Sequence, residues 1–293
     1  MNNDLVTVYK GDIFKYKRKE SPKAIVIDLD ETIGCFGDLY ILWLGLNKLC
    51  NLKNFNRQNI FNDILNLYPE FFRPGITHIL SFIFKKKKKK HLKNLFLYTN
   101  NQCTHNNWLS LIIHFIEFKI NATNLFDKII HAFKIKNNII EICRTSNNKN
   151  YNDLINCTII PKKTEICFID NTYYEEMIHD KVYYIKPLSY YHNLNKNSII
   201  NRILQNKIGS FIIENSNMSN KNQLFNFFHN WFLTHMHYSY NRPIYLDIDY
   251  NLNISKKILY HIKEFFIVSK NNNKSKKKIK SIKNFTRKNK NLL

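Results

Sequence analysis

Glycine and proline are scarce, six of each in 293 residues, and acidic residues are few, 22 against 45 Lys and Arg. With hydrophobic residues at 44% and aromatics at 14%, so little Gly and Pro excludes a low-complexity or disordered chain and leaves a folded one. There is no apolar run near 18 residues and no N-terminal signal pattern, so no membrane insertion is expected and a soluble, intracellular protein is the default. Six cysteines (35, 50, 103, 143, 157, 167) show no C-x-x-C spacing, so reduced thiols are expected. The net charge of +23 favours polyanionic partners: nucleic acid, acidic phosphoproteins or a membrane surface. It chooses among none of them and says nothing of the fold.

The most informative stretch is Ala24-Ile25-Val26-Ile27-Asp28-Leu29-Asp30-Glu31-Thr32-Ile33-Gly34. An apolar, β-branched run ends in two carboxylates two positions apart. Such a run reads as a buried strand of a parallel sheet, and its carboxyl end is where open α/β sheets do chemistry. Further buried strands are expected at Leu95–Tyr98, Phe126–Phe133, Glu165–Ile169 and Val182–Ile185. Helical periodicity places helices within 38–72, from Ile76 to about Lys85, over Trp108–Ile120, and briefly around Tyr151–Ile155. Strands alternating with helices predict an α/β fold with a doubly wound, mainly parallel five-stranded sheet. A short helical insert follows the first strand.

The expected organisation is an N-terminal arm (1–20, with one alternating piece around Leu5 to Tyr9) and a catalytic unit (21–195). A helical C-terminal extension (196–268) and a disordered basic tail (269–293) complete it. Helices in the extension are expected at Ile199–Leu204, Leu224–Leu233 and Ile254–Phe266. The tail offers a possible nucleic-acid contact. The six lysines Lys85–Lys90 read as a solvated helix end, since packed like charges repel. Asp247-Ile248-Asp249 repeats the D-x-D spacing, but Asn251 stands where Thr is needed, and an exposed turn is expected. His229, His235 and His237 read as ordinary packing, lacking a fourth zinc ligand.

Asp28 and Asp30 follow the first core strand, Thr99 and Asn100 the second, and Asp170 and Asn171 the fourth, with Lys149 in the loop before it. In this order the chain resembles the haloacid-dehalogenase superfamily. Asp28-Leu29-Asp30-Glu31-Thr32, Arg73-Pro74-Gly75, Leu125-Phe126-Asp127-Lys128 and Phe168-Ile169-Asp170-Asn171 look like its NLI-interacting-factor-like branch. That branch contains phosphatases of the RNA polymerase II C-terminal domain. Lys149-x-Tyr151-x-Asp153-Leu154, with Cys157-Thr158, looks most like versions carried by large DNA viruses. The resemblance covers roughly residues 22–190.

The resemblance implies a Mg²⁺-dependent phosphatase in which Asp28 is the nucleophile and Asp30 the general acid and base. Mg²⁺ would be held by Asp28, the Asp30 backbone carbonyl and Asn171. Thr99, Asn100 and Lys149 would bind phosphate, with Thr32 and Asp170 supporting. In the cellular phosphatases the Lys directly precedes the Asp-Leu pair, a slot filled here by Asn152. If Lys149 does not reach the site, Arg144 is the other cation to consider. The implied substrate is a phosphoserine or phosphothreonine protein or peptide. Two rivals stand beside it: a phosphatase of nucleic-acid ends or small phosphometabolites, and a catalytically idle protein binding nucleic acid through its basic tail.

Overall fold

The computed structural model describes residues 5–15, 21–50, 55–103, 107–235 and 247–268. The elements run from β1 (Val6–Lys10) and β2 (Lys23–Ile27) to helices α1 (Gly37–Leu49) and α2 (Arg57–Leu67). A 3-10 turn at Pro69–Phe71 leads to α3 (Ile76–Lys88), β3 (Asn94–Tyr98) and α4 (Trp108–Ile120). Next come β4 (Lys128–Ile130), the small hairpin β5 (Lys134–Ile135) and β6 (Asn138–Ile139), and α5 (Tyr151–Thr158). β7 (Glu165–Ile169) and β8 (Val182–Pro187) complete the sheet. Four helices follow: α6 (Lys196–Leu204), α7 (Lys207–Glu214), α8 (Lys221–Thr234) and α9 (Ile248–Val268).

The fold is α/β, around a six-stranded sheet in the order β1-β8-β7-β2-β3-β4. All neighbours are parallel except β1, which pairs antiparallel with β8, Val6 opposite Pro187 and Lys10 opposite Tyr183. The expected count of five strands is therefore one short. The alternating piece near Leu5 to Tyr9, expected as a lead-in strand or a loose arm, is a strand at the sheet edge. The rest of the arm, residues 1–4 and 16–20, lies outside the described residues, as do the tail 269–293 and His237.

Strand periodicity explains how both faces are filled. Ile25, Ile27, Leu95, Leu97, Cys167 and Ile169 point into the larger core, under α1, α3, α4 and α9. Their neighbours Val26, Phe96, Phe168 and Tyr184 point the other way, onto Leu154 and Cys157 of α5 and onto Met177. The expected third core strand is shorter than its apolar run, spanning only Lys128–Ile130. In the C-terminal part, α7 was not expected, and α9 starts earlier than its apolar periodicity indicates. Asp247 and Asp249 are exposed as expected, but at the start of α9 rather than in a turn, where Asp247 Oδ1 accepts the Tyr250 N–H at 2.7 Å.

The run of lysines is mostly helical. α3 continues to Lys88, where cations in the last turn suit the helix dipole. Lys87 pairs with Asp127 at 2.8 Å, and Lys86 lies over the rings of Phe82 and Phe266. No described helix is long and apolar enough to cross a membrane.

One difference concerns the cysteines. Cys143 and Cys157 are joined by a disulfide, where the sequence leads one to expect reduced thiols.

Candidate active site

β2 and β7 pair in parallel with Ile27 opposite Ile169. The ladder extends one residue further, the Asp28 N–H donating to the Ile169 carbonyl at 2.9 Å. Asp28 and Asp170 therefore leave the sheet side by side. From β2 the chain moves outward through β3 and β4, then returns on the other side of β2 to form β7 and β8. Strand order reverses between β2 and β7, which is where open α/β sheets form a ligand crevice.

Lys149 fills the space between the two aspartates. Its Nζ donates to Asp28 Oδ1 at 2.5 Å and to Asp170 Oδ2 at 2.6 Å, with the side chain fully enclosed. The rings of Tyr98 and Tyr174 flank the ammonium at 5.4 and 5.6 Å. Burial works against its charge, but Asp170 and Asp28 outweigh burial and raise the Lys149 pKa, so it stays protonated.

The loop carrying Lys149 is fixed locally. Asn150 caps α5, its side chain accepting the Asp153 N–H at 2.7 Å. The Asp153 carboxylate in turn takes the Thr145 N–H at 2.9 Å. Arg144 does not stand in for Lys149. Its guanidinium donates to the backbone carbonyls of His131 (2.7 Å), Asn147 (3.0 Å) and Thr99 (3.3 Å), and stacks on Tyr98. It braces the loop.

Asp30 occupies a different environment from Asp28. Its Oδ2 accepts from Asn101 Nδ2 at 2.8 Å, whereas its Oδ1 is buried without a hydrogen-bond partner among the described residues. Burial, then repulsion from Asp28, pushes the Asp30 pKa up to about 7. Burial likewise raises Asp170, against the lowering effect of Lys149. One carboxyl thus holds its proton near neutrality beside another engaged by an ammonium.

The turn from Asp28 to Gly34 is held from below. Arg73 is buried and donates to the carbonyls of Glu31 (2.6 Å), Thr32 (2.8 Å) and Leu188 (2.7 Å). Glu31 adopts the left-handed region at φ 61°. At Gly34 a Cβ would stand 2.4 Å from the Phe71 carbonyl oxygen, so no other residue fits there.

Thr32 and Asn171 meet across the crevice. The Thr32 hydroxyl donates to Asn171 Oδ1 at 2.8 Å and accepts the Asn171 N–H at 3.1 Å. Asn171 Nδ2 donates to Glu31 Oε2 at 3.1 Å and Ser189 Oγ at 3.0 Å, which fixes the amide orientation. Tyr191 also donates to Glu31, at 3.1 Å, and burial raises the Glu31 pKa. Thr99 is buried, with its Oγ1 accepting the Asn101 N–H at 3.0 Å. Asn100 turns its side chain toward the Asn147 carbonyl at 2.8 Å and the Tyr174 hydroxyl at 3.3 Å.

The donor set suits a hard divalent cation. Asp28 and Asp170 share the Lys149 ammonium, Asp30 and Glu31 feel the Asp28 charge, and the Asp30, Glu31 and Asp170 pKa values are all raised. The oxygens of Asp28, the Asp30 backbone and Asn171 are the type Mg²⁺ takes. Sequence reasoning missed Asn101, Glu31, Tyr191 and Arg73 as contributors. Arg73 and Glu31 lay within motifs read from the sequence, Arg73-Pro74-Gly75 and Asp28-Leu29-Asp30-Glu31-Thr32, and Tyr191 was expected to serve packing. A cavity of about 640 Å³ lies elsewhere, lined by Phe72, Ile76, Phe115 and Tyr190 and by neither aspartate of the D-x-D pair.

No protein-family model, no curated protein and no solved structure matches the chain.

Proposed function

We propose that the chain is a Mg²⁺-dependent phosphomonoester hydrolase of haloacid-dehalogenase type, acting through an aspartyl-phosphate on Asp28. The observation that carries this reading is Lys149, bonded at once to Asp28 and Asp170 where strand order reverses, with the near-neutral carboxyl of Asp30 two residues after Asp28. The strand order, the residue clusters at the carboxyl ends of β2, β3 and β7, and Lys149 in the loop before β7 support the same reading.

Lys149 holds Asp28 Oδ1, so Oδ2 is the oxygen that attacks phosphorus as the phosphorus–alkoxide bond breaks. Asp30 gives its proton to the leaving alkoxide. In the second half it takes a proton from the water that attacks the aspartyl-phosphate, freeing inorganic phosphate and restoring the Asp28 carboxylate. Lys149 and the Thr99 hydroxyl offset charge on the equatorial phosphate oxygens. Asp28, the Asp30 carbonyl and Asn171 would hold Mg²⁺, which would supply the countercharge a phosphate dianion needs beside clustered carboxylates.

The substrate we propose is phosphoserine or phosphothreonine in a protein or peptide, on the strength of the resemblance. Hydrolysis of an aryl phosphate by purified protein with Mg²⁺ tests the activity, and full turnover by Asp28→Asn refutes the assignment. Phosphopeptides, phosphorylated oligonucleotides and phosphometabolites assayed in parallel test the substrate class.

A further inference from the structure

Away from Asp28, three electron-rich side-chain atoms converge beside α5. Cys143 Sγ, Cys157 Sγ and a Glu141 carboxylate oxygen all lie within 4.8 Å of one another. The two sulfurs form the disulfide, with Cα atoms 5.1 Å apart, and Glu141 Oε1 stands 3.1 Å from the Cys143 sulfur. A disulfide sulfur carries no proton to donate, so it gives that carboxylate no reason to be there. The other Glu141 oxygen accepts the His131 N–H at 3.2 Å, which holds the side chain in place. The Glu141 charge is felt by Arg144, but that guanidinium is committed to backbone carbonyls.

We infer that Glu141, Cys143 and Cys157, once the disulfide is reduced, form a binding site for a thiophilic divalent cation of the zinc type. Two thiolates and a carboxylate, with water as the fourth ligand, make a tetrahedral set that Zn²⁺ accepts and Mg²⁺ does not. The chemistry balances with a dithiol as reductant. It supplies two electrons and two protons, the S–S bond becomes two thiols, and the dithiol leaves as its own disulfide. Metal binding then releases the two thiol protons. Cys157 is buried while Cys143 and Glu141 are half-buried, so the site is enclosed on one side and open on the other.

The location gives the site a consequence. Cys143 directly precedes Arg144, Cys157 lies near the end of α5, and Lys149 lies between them. Either bridge, sulfur–sulfur or sulfur–metal–sulfur, ties together the two ends of the segment that presents Lys149. The reduced, metal-loaded chain therefore keeps a staple that the reduced, metal-free chain lacks.

Co²⁺ reports this site directly, because thiolate ligation gives a near-ultraviolet charge-transfer band. The full chain, reduced with a non-chelating phosphine and titrated with Co²⁺, should bind one equivalent with that band, and Zn²⁺ should displace it. The oxidised chain should show no band. Cys143→Ser and Cys157→Ser should each abolish the band, Glu141→Gln should weaken binding more than tenfold, and Cys103→Ser should change nothing. Absence of the band in the reduced chain, or a band that survives Cys143→Ser or depends on Cys103, overturns the proposal.

Discussion

Lys149 bridges Asp28 and Asp170 across adjacent strand ends, with Nζ 2.5 Å from one carboxylate and 2.6 Å from the other. Lys149→Met should lower phosphatase turnover by about 10²–10³-fold, the cost of removing one preorganised charge donor. It should also lower stability by on the order of 3 kcal/mol, because two buried carboxylates lose their shared cation. Adding Asp170→Asn should recover part of the stability and none of the turnover. Denaturant unfolding and steady-state kinetics on the two variants separate these effects.

Asp30 predicts a pH signature. In the proposed reaction its proton goes to the leaving group, and its pKa lies near 7, so kcat for an alkyl phosphate should fall as pH rises through about 7. Asp30→Asn should slow alkyl substrates by roughly 10²–10⁴-fold and aryl ones less, since aryl oxides leave without help. Stability follows the same sign. A carboxyl with a raised pKa binds its proton more tightly when folded, so its contribution is full in acid and lost as pH rises through about 7. Between about pH 4, just above the ordinary carboxyl value, and about pH 7 the metal-free protein should lose stability and then level off, and Asp30→Asn should flatten that slope.

Arg73 hydrogen-bonds to backbone and lies over the Tyr190 ring, so its loss should register first as instability. Arg73→Met removes the donors to the carbonyls of Glu31, Thr32 and Leu188. At roughly 1 kcal/mol for each, about 3 kcal/mol of stability should disappear, read from thermal or denaturant unfolding.

Chelation by EDTA should abolish turnover, and added Mg²⁺ should restore it. Asn171→Ala should raise the Mg²⁺ concentration needed for half-maximal activity, because the amide oxygen is a proposed ligand. An unchanged Mg²⁺ requirement in that variant would remove Asn171 from the ligand set.

The Cys143–Cys157 bridge closes a segment with a sequence separation of 14. Under oxidising conditions Cys143→Ser should cost about 3 kcal/mol, the loop-entropy value for a segment of that length. In metal-free protein reduced by a dithiol the substitution should cost little.

Much of this site could be read from the order of residues. Asp28, Thr99 and Asp170 each end an apolar run, and the carboxyl end of a parallel strand is a position that sequence alone can mark. Lys149 could not be assigned so directly. It sits in a polar loop without periodicity, and only the packing of that loop against β2 and β7 brings its ammonium to Asp28. Asn101 was hidden for a similar reason, since its importance is a single tertiary bond to Asp30. The disulfide had no sequence signal at all, because two cysteines at that separation meet only after α5 docks on the sheet. At the N-terminus the alternation near Leu5 to Tyr9 could not say which strand it would pair with. That choice is made by β8, whose far edge has no other partner.

That pairing gives β1 a protective role. A parallel sheet ending at β8 would present a row of open backbone donors and acceptors to any other chain in solution. β1 occupies that row from Val6 to Lys10, and Lys10 then reaches Glu264 of α9 at 2.6 Å, latching the strand to a helix distant in sequence. A form of the protein trimmed of its first fifteen residues would keep every group named in the crevice, yet expose β8 as a template for self-association.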